Sequence, residues 1–130
     1  MSNQNIEEQH QIALIKWARY SVEQYPQLKL LHSSLNGIKL PIGLAKKAKA
    51  GGMLAGVWDL FLPVSLEDYW SGLYIEMKSK TGKLTKEQVW FKDQLKDKFL
   101  FVVVRDWRDG RDILVEYLSG KSAVKNMNHG

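Results

Sequence analysis

Two stretches decide the fold of this chain: Gly56-Val57-Trp58-Asp59-Leu60-Phe61-Leu62 and Gly72-Leu73-Tyr74-Ile75-Glu76-Met77-Lys78. In the second, apolar Leu73, Ile75 and Met77 take the odd positions while Glu76 and Lys78 sit two apart between and after them, a period of two that projects both charges from one face of a strand. In the first, apolar residues fall on both faces around a single acid, Asp59, as in a strand covered on both sides. A carboxylate in such a place is unfavourable unless it is paired, hydrogen-bonded or bound to a cation. A wet strand face with a salt bridge would account for Glu76 and Lys78 alone. The apolar flanks Leu60-Phe61-Leu62 and Leu73-Tyr74-Ile75 argue against a wet face, and with Asp59 included the set reads as a metal site suited to phosphodiester chemistry.

The rest of the chain narrows the chemistry. Its 130 residues suit a single domain, residues 1–130, with a core spanning about 5–120. No stretch approaches a membrane-spanning length, and Met1 to Glu8 is polar and acidic, so neither a transmembrane helix nor a secretory signal is expected and the location should be cytoplasmic. The absence of cysteine excludes disulfides, thiolate nucleophiles and thiolate zinc sites. His10, His32 and His129 are too scattered for a histidine cluster, so a metal must be held mainly by oxygen.

A net charge of +5 and a pI near 9.4 point toward a polyanionic partner. Between Gly37 and Gly52 lie Lys39, Lys46, Lys47 and Lys49 with no acid among them. A solvated helix face would explain this run, and so would an element that contacts phosphates and leads into the strand bearing Asp59.

Periodicity places a first helix from about Asn5 to Tyr25, with Ile6, Ala13, Leu14, Trp17 and Ala18 as its apolar stripe and Pro26 after its end. Leu28 to His32 reads as a short strand, Asn36-Gly37 as a turn, and Leu40 to Ala50 as a short helix closed by Gly51-Gly52. Val57 to Val64 and Gly72 to Ser79 form a hairpin. Thr85 caps a helix from Lys86 to about Asp97, with Gln88 in its first turn, and Phe99 to Val104 is a buried strand parallel to Gly72 to Ser79. A last helix is expected near Arg111 to Leu118, then a loose tail from Lys121 to Gly130. Trp17, Trp90, Phe91 and Phe101 fall on apolar faces and read as core. Tyr69, Trp70 and Trp107 lie in or beside loops and could serve a dimer surface or stack on unpaired bases.

A leading helix with an acid, a Gly-x-x-Asp strand, a Glu-x-Lys strand and a Gln-bearing helix, in that order, resemble the PD-(D/E)XK nuclease superfamily. More narrowly, the chain is similar to the VRR-NUC (virus-type replication-repair nuclease) domain in its stand-alone phage or prophage form. The resemblance rests on Glu7 to Arg19, Asn36-Gly37, Ala55 to Leu62, Gly72 to Lys78, Gly82 to Gln88 and Val102 to Val104. One departure is Trp58, where the family usually has proline before the aspartate. The fold implied is an α/β restriction-endonuclease-like core, a central mixed β-sheet flanked by helices.

The resemblance also implies roles. Asp59 and Glu76 would bind Mg²⁺ or Mn²⁺, with the backbone carbonyl of Met77 as a further ligand. Lys78 would orient the attacking water or stabilise charge on the phosphate. Glu7 would supply another carboxylate from the first helix, with Glu8 as the competing choice. Gln88 would hydrogen-bond the site or the DNA, although a polar first-turn residue is also ordinary there. The implied activity is a metal-dependent endodeoxyribonuclease acting on branched DNA, in its specific form a homodimeric Holliday junction resolvase. The alternatives are a flap, fork or non-specific nuclease, and a DNA-binding module of the same fold without catalysis.

Overall fold

The computed structural model describes residues 2–128, and its described residues build a four-stranded mixed sheet in the order β1-β2-β3-β4. β1 (His32–Ser33) and β2 (Leu60–Leu62) pair antiparallel, β2 and β3 (Gly72–Met77) form the expected hairpin, and β4 (Phe99–Val104) lies parallel to β3. The helices are α1 (Asn3–Tyr20), α2 (Ile42–Ala50), α3 (Lys86–Leu95), α4 (Trp107–Leu118) and the short α5 (Ser122–Lys125). This is an α/β fold with helices flanking a mixed sheet, as expected.

The alternation in β3 divides two layers. Leu73, Ile75 and Met77 join Leu60, Leu62, Leu100 and Val104 in the main core, which α1 closes with Leu14 and Ala18 and α4 closes with Leu114 and Tyr117. The two helices approach closely because α4 carries Gly110, where a Cβ would stand 2.8 Å from Leu14 Cδ2. The opposite face is aromatic. Tyr74 stacks between Phe61 and Phe101, with ring centroids 4.4 and 5.0 Å away, and Phe91 from α3 meets it edge-on at 5.2 Å. Beyond Tyr74 the same face changes character and presents Glu76 and Lys78.

Several expectations fail where distant contacts intervene. α1 stops at Tyr20, not Tyr25: the N–H of Ser21 is shared between the carbonyls of Trp17 and Ala18, which tightens the end of the helix, and residues 21–24 form turns. The strand expected at Leu28 to His32 is instead a 3-10 turn over Pro26–Leu30 followed by the two residues of β1. Its cause is Arg19, whose guanidinium donates to the carbonyls of Leu28, Lys29 and Leu31 and so curls the segment around itself. The ladder of β2 is also shorter than Val57 to Val64, which leaves Asp59 just ahead of it. α4 begins at Trp107, four residues early, because the Asp106 side chain accepts the N–H of Arg108 as an N-cap.

The tail and two tryptophans differ as well. Lys121 to Asn128 is docked: Val124 is fully buried, and Asn128 bridges the carbonyls of Lys96 and Phe99. His129 and Gly130 lie outside the described residues. Trp70, expected at a loop surface, is buried and its Nε1 donates to the carbonyl of Val124, so it is unavailable to a partner or a base. Tyr69 beside it remains exposed, with the ammonium of Lys125 over its ring. Trp107 packs on the core under the guanidinium groups of Arg108 and Arg111. Trp90, expected in the core, is exposed. Among the described residues no helix is long and apolar enough to cross a membrane.

Candidate active site

Asp59 immediately precedes Leu60, which pairs with Ile75, so the register brings it opposite Glu76. Each carboxylate is held by the other's strand. The N–H of Asp59 donates to Glu76 Oε1 at 3.1 Å, and the N–H of Met77 donates to Asp59 Oδ2 at 2.9 Å. The second oxygen of Glu76 accepts Gln88 Nε2 at 2.9 Å and pairs with Lys78 Nζ at 3.2 Å. Asp59, Glu76 and Lys78 are all buried.

Like charges directly opposite each other on a strand pair are destabilising. Burial, followed by the charge of Asp59, pushes the Glu76 carboxyl up to about 8, against the relief given by Lys78 and its hydrogen bonds. Burial also raises the Asp59 carboxyl, an effect opposed chiefly by the N–H of Met77. A pair with these properties favours sharing a proton or binding a cation.

The flanking helices reach this floor from two sides. From α3, Gln88 uses both ends of its amide: Oε1 accepts the N–H of Thr85 in a capping box, and Nε2 reaches Glu76. From α1, Glu7 Oε1 accepts the N–H of Ser79 just past the end of β3, while Glu8 stands more exposed on the rim. The loop after β3 is tied down by Arg105, which donates to the carbonyls of Ser79, Lys80 and Gly82. Met77 buries its side chain in the main core, so it offers only its main chain to the site.

The result is a cleft of about 450 Å³ that brings together Glu7, Asp59, Glu76, Lys78 and Gln88. Lys39, Lys46, Lys47 and Lys49 do not line it. They stand exposed on α2 and the segment before it, a helix that buries none of its residues. Among the described residues no trio of acidic or histidine side chains is already arranged around a metal position. Lys78 and the backbone donors occupy lone pairs that such an ion would take.

Asn36 and Gly37, expected as a turn and among the stretches that carry the resemblance, also position the site. Asn36 Nδ2 donates to the carbonyls of Leu54 and Val57, fastening the loop that leads to Asp59. Gly37 leaves room for Asp59 itself, since a Cβ there would lie 2.7 Å from its Oδ1. Trp58, where the family usually has proline, is buried against Phe101 and donates from Nε1 to the carbonyl of Gln88, which fixes the first turn of α3 over the site.

A solved structure of a VRR_NUC domain protein matches this architecture with a TM-score of 0.65 and 23% sequence identity, covering 87% of this chain and 88% of that one. The fold is that of a VRR_NUC domain protein. No protein-family model and no curated protein matches the chain. Within this VRR_NUC fold, the cleft lies where the β2–β3 hairpin, the N-terminal end of α1 and the first turn of α3 converge.

Proposed function

We propose that this protein is a divalent-metal-dependent endodeoxyribonuclease acting on branched DNA. The observation that carries the reading is the pair Asp59 and Glu76, fixed side by side with Lys78 on the floor of an open cleft. Mutual repulsion and burial make that arrangement costly, and a bound cation would relieve both. The donors on hand are the oxygens of Asp59, Glu76, Glu7 and the Met77 main chain, a set that suits Mg²⁺ or Mn²⁺. When bound, such an ion would polarise a phosphate and make an attacking water more acidic.

The side chains supply the remaining tasks. In hydrolysis a water oxygen would bond to phosphorus and give up one proton while one P–O bond breaks and the leaving sugar oxygen takes up a proton. Lys78 provides a fixed positive charge where negative charge builds on the phosphate oxygens. Gln88 holds Glu76 in its rotamer. The acid-free lysines Lys39, Lys46, Lys47 and Lys49 offer sequence-independent contacts to the DNA backbone.

In its specific form the proposal is a homodimeric resolvase. A four-way junction is resolved by paired cuts on opposing strands, which requires two copies of the Asp59, Glu76 and Lys78 set, and a symmetric dimer supplies them. The test is to incubate purified protein and Mg²⁺ with linear duplex, flap, fork and four-way junction substrates side by side while measuring its mass in solution. Paired, symmetric cuts in the junction by a dimer are expected. A monomer that prefers flaps or forks would move the assignment to that class of nuclease, and tight binding with no cleavage of any substrate would leave only a DNA-binding module.

A further inference from the structure

α3 carries two adjacent aromatic residues with opposite fates. Phe91 turns inward onto Tyr74 and Phe101, whereas Trp90 is left 52% exposed. One exposed tryptophan is ordinary; the position of this one is informative. It stands in a depression with Leu54, Ala55, Lys86 and Glu87. Ala55 also lines a neighbouring groove that contains Lys49, and that groove shares Asn36 and Ile38 with the cleft holding Asp59 and Glu76. The three depressions are thus adjacent, each sharing lining residues with the next, and mark out a track from the carboxylates past Ile38 and Lys49 to a ledge formed by Trp90 and Lys86.

The track changes chemistry along its length in the manner of a single nucleic-acid strand. Ammonium groups at Lys49 and Lys86 suit phosphates, and the apolar floor and indole face suit bases. A paired duplex keeps its base faces stacked inside and has none to offer Trp90. The ledge is also rigid. Gly56 has φ +96, and a Cβ there would overlap the backbone of Glu87, so the loop carrying Leu54 and Ala55 is packed tightly on α3. Trp58 fastens the same turn from beneath through the carbonyl of Gln88. A platform fixed before binding loses little entropy when a base lands on it.

We propose that this track carries an unpaired strand leading away from the scissile phosphate, and that Trp90 is the stacking platform for one of its bases. The inference rests on the reading of the protein as a nuclease of branched DNA, whichever branch it prefers, and adds to it the means of holding nucleotides unpaired at a flap, a fork or an opened junction centre.

The test uses the full chain with Asp59→Asn in every variant, so that nothing is cut, and compares Trp90→Ala and Trp90→Phe with the parent. Affinities are measured for a single-stranded oligonucleotide, a fork with one unpaired arm, and a blunt duplex. Trp90→Ala should weaken binding to the first two about tenfold and change duplex binding less than twofold, with most of the loss recovered in Trp90→Phe. Tryptophan fluorescence should be quenched by the single strand in the parent and much less in Trp90→Phe. Equal affinity of Trp90→Ala and parent for unpaired DNA overturns the inference, as does an equal loss on all three substrates. A change of oligomeric state in Trp90→Ala overturns it too, by making the ledge a protein interface. If the parent binds none of the DNAs, the nuclease reading itself falls, a result distinct from a Trp90 that proves silent.

Discussion

Asp59 and Glu76 are locked to each other's backbone: Glu76 accepts the N–H of Asp59, and Asp59 accepts the N–H of Met77, next in chain to Glu76. Separating the carboxylates would break these hydrogen bonds and leave buried N–H groups unpaired. Lys78 relieves part of the repulsion, and a proton or a cation relieves the rest.

That constraint sets a pH dependence. Burial and the charge of Asp59 push the Glu76 carboxyl up to about 8 from an ordinary value of 4.5, so between these limits the folded protein keeps a proton that the unfolded chain has released. Stability of the metal-free protein should fall as pH rises through this window, because the unfolded state binds fewer protons. Glu76→Gln, which cannot titrate, should remove most of that fall. Urea titrations of both proteins at pH 5 and pH 8 check this; a wild-type midpoint that rises with pH relative to Glu76→Gln contradicts it.

Metal should reverse the trend. Mg²⁺ or Mn²⁺ is expected to raise the melting temperature more at pH 8 than at pH 5, since the ion competes with the proton for the same oxygens. Cleavage should be lost in chelator, and Ca²⁺ should support DNA binding without turnover. Glu7→Gln should raise the metal concentration needed for half-maximal activity, and Glu8→Gln should leave it unchanged. Activity that survives exhaustive chelation removes the two-carboxylate mechanism.

Gln88 separates a structural task from a chemical one. Glutamate also closes a capping box, so Gln88→Glu should keep the helix start but set another carboxylate against Glu76. We expect its melting temperature to stay close to wild type once metal is added, with cleavage reduced at least about tenfold, a loss of roughly 1.4 kcal/mol of transition-state stabilisation. Gln88→Ala should lose the cap as well and melt lower. Full activity in Gln88→Glu would free this residue from the site.

Gly37 is placed by contact with Asp59, not by its own backbone conformation. Gly37→Ala puts a methyl 2.7 Å from Asp59 Oδ1 and must displace that carboxylate, while the segment itself is exposed. Global stability should change by less than about 1 kcal/mol, whereas cleavage should fall markedly. Unchanged cleavage would mean that the Asp59 carboxylate needs no fixed position.

The lysines of α2 predict a salt effect. Replacing Lys46, Lys47 and Lys49 together with glutamine should weaken DNA binding and flatten its dependence on salt by up to about 3 phosphate contacts. Because α2 buries none of its residues, circular dichroism should show the fold intact. An unchanged slope would mark this helix as merely solvated.

The order of elements and the composition of the site were legible in the chain because they depend on local geometry. A period of two in Leu73 to Lys78 is enough to put Glu76 and Lys78 on one face, Thr85 and Gln88 form their capping box within one turn, and the apolar run Phe99 to Val104 reads as a strand, which the fold places at the edge of the sheet beside β3. What needed the tertiary structure was every choice that a distant residue makes. Phe91 and Trp90 are neighbours of similar hydrophobicity, and only the rings of Tyr74 and Phe101 decide which of them goes inside. Arg19 converts an expected strand into a 3-10 turn by capturing carbonyls of a later segment, and the carbonyl of Val124 draws Trp70 out of an exposed loop from 54 residues away. Asp59 and Glu76 are 17 residues apart in the chain. Their residue types announce a charged site, but the hydrogen bonds that clamp them together belong to the strand register, which exists only once the sheet has formed.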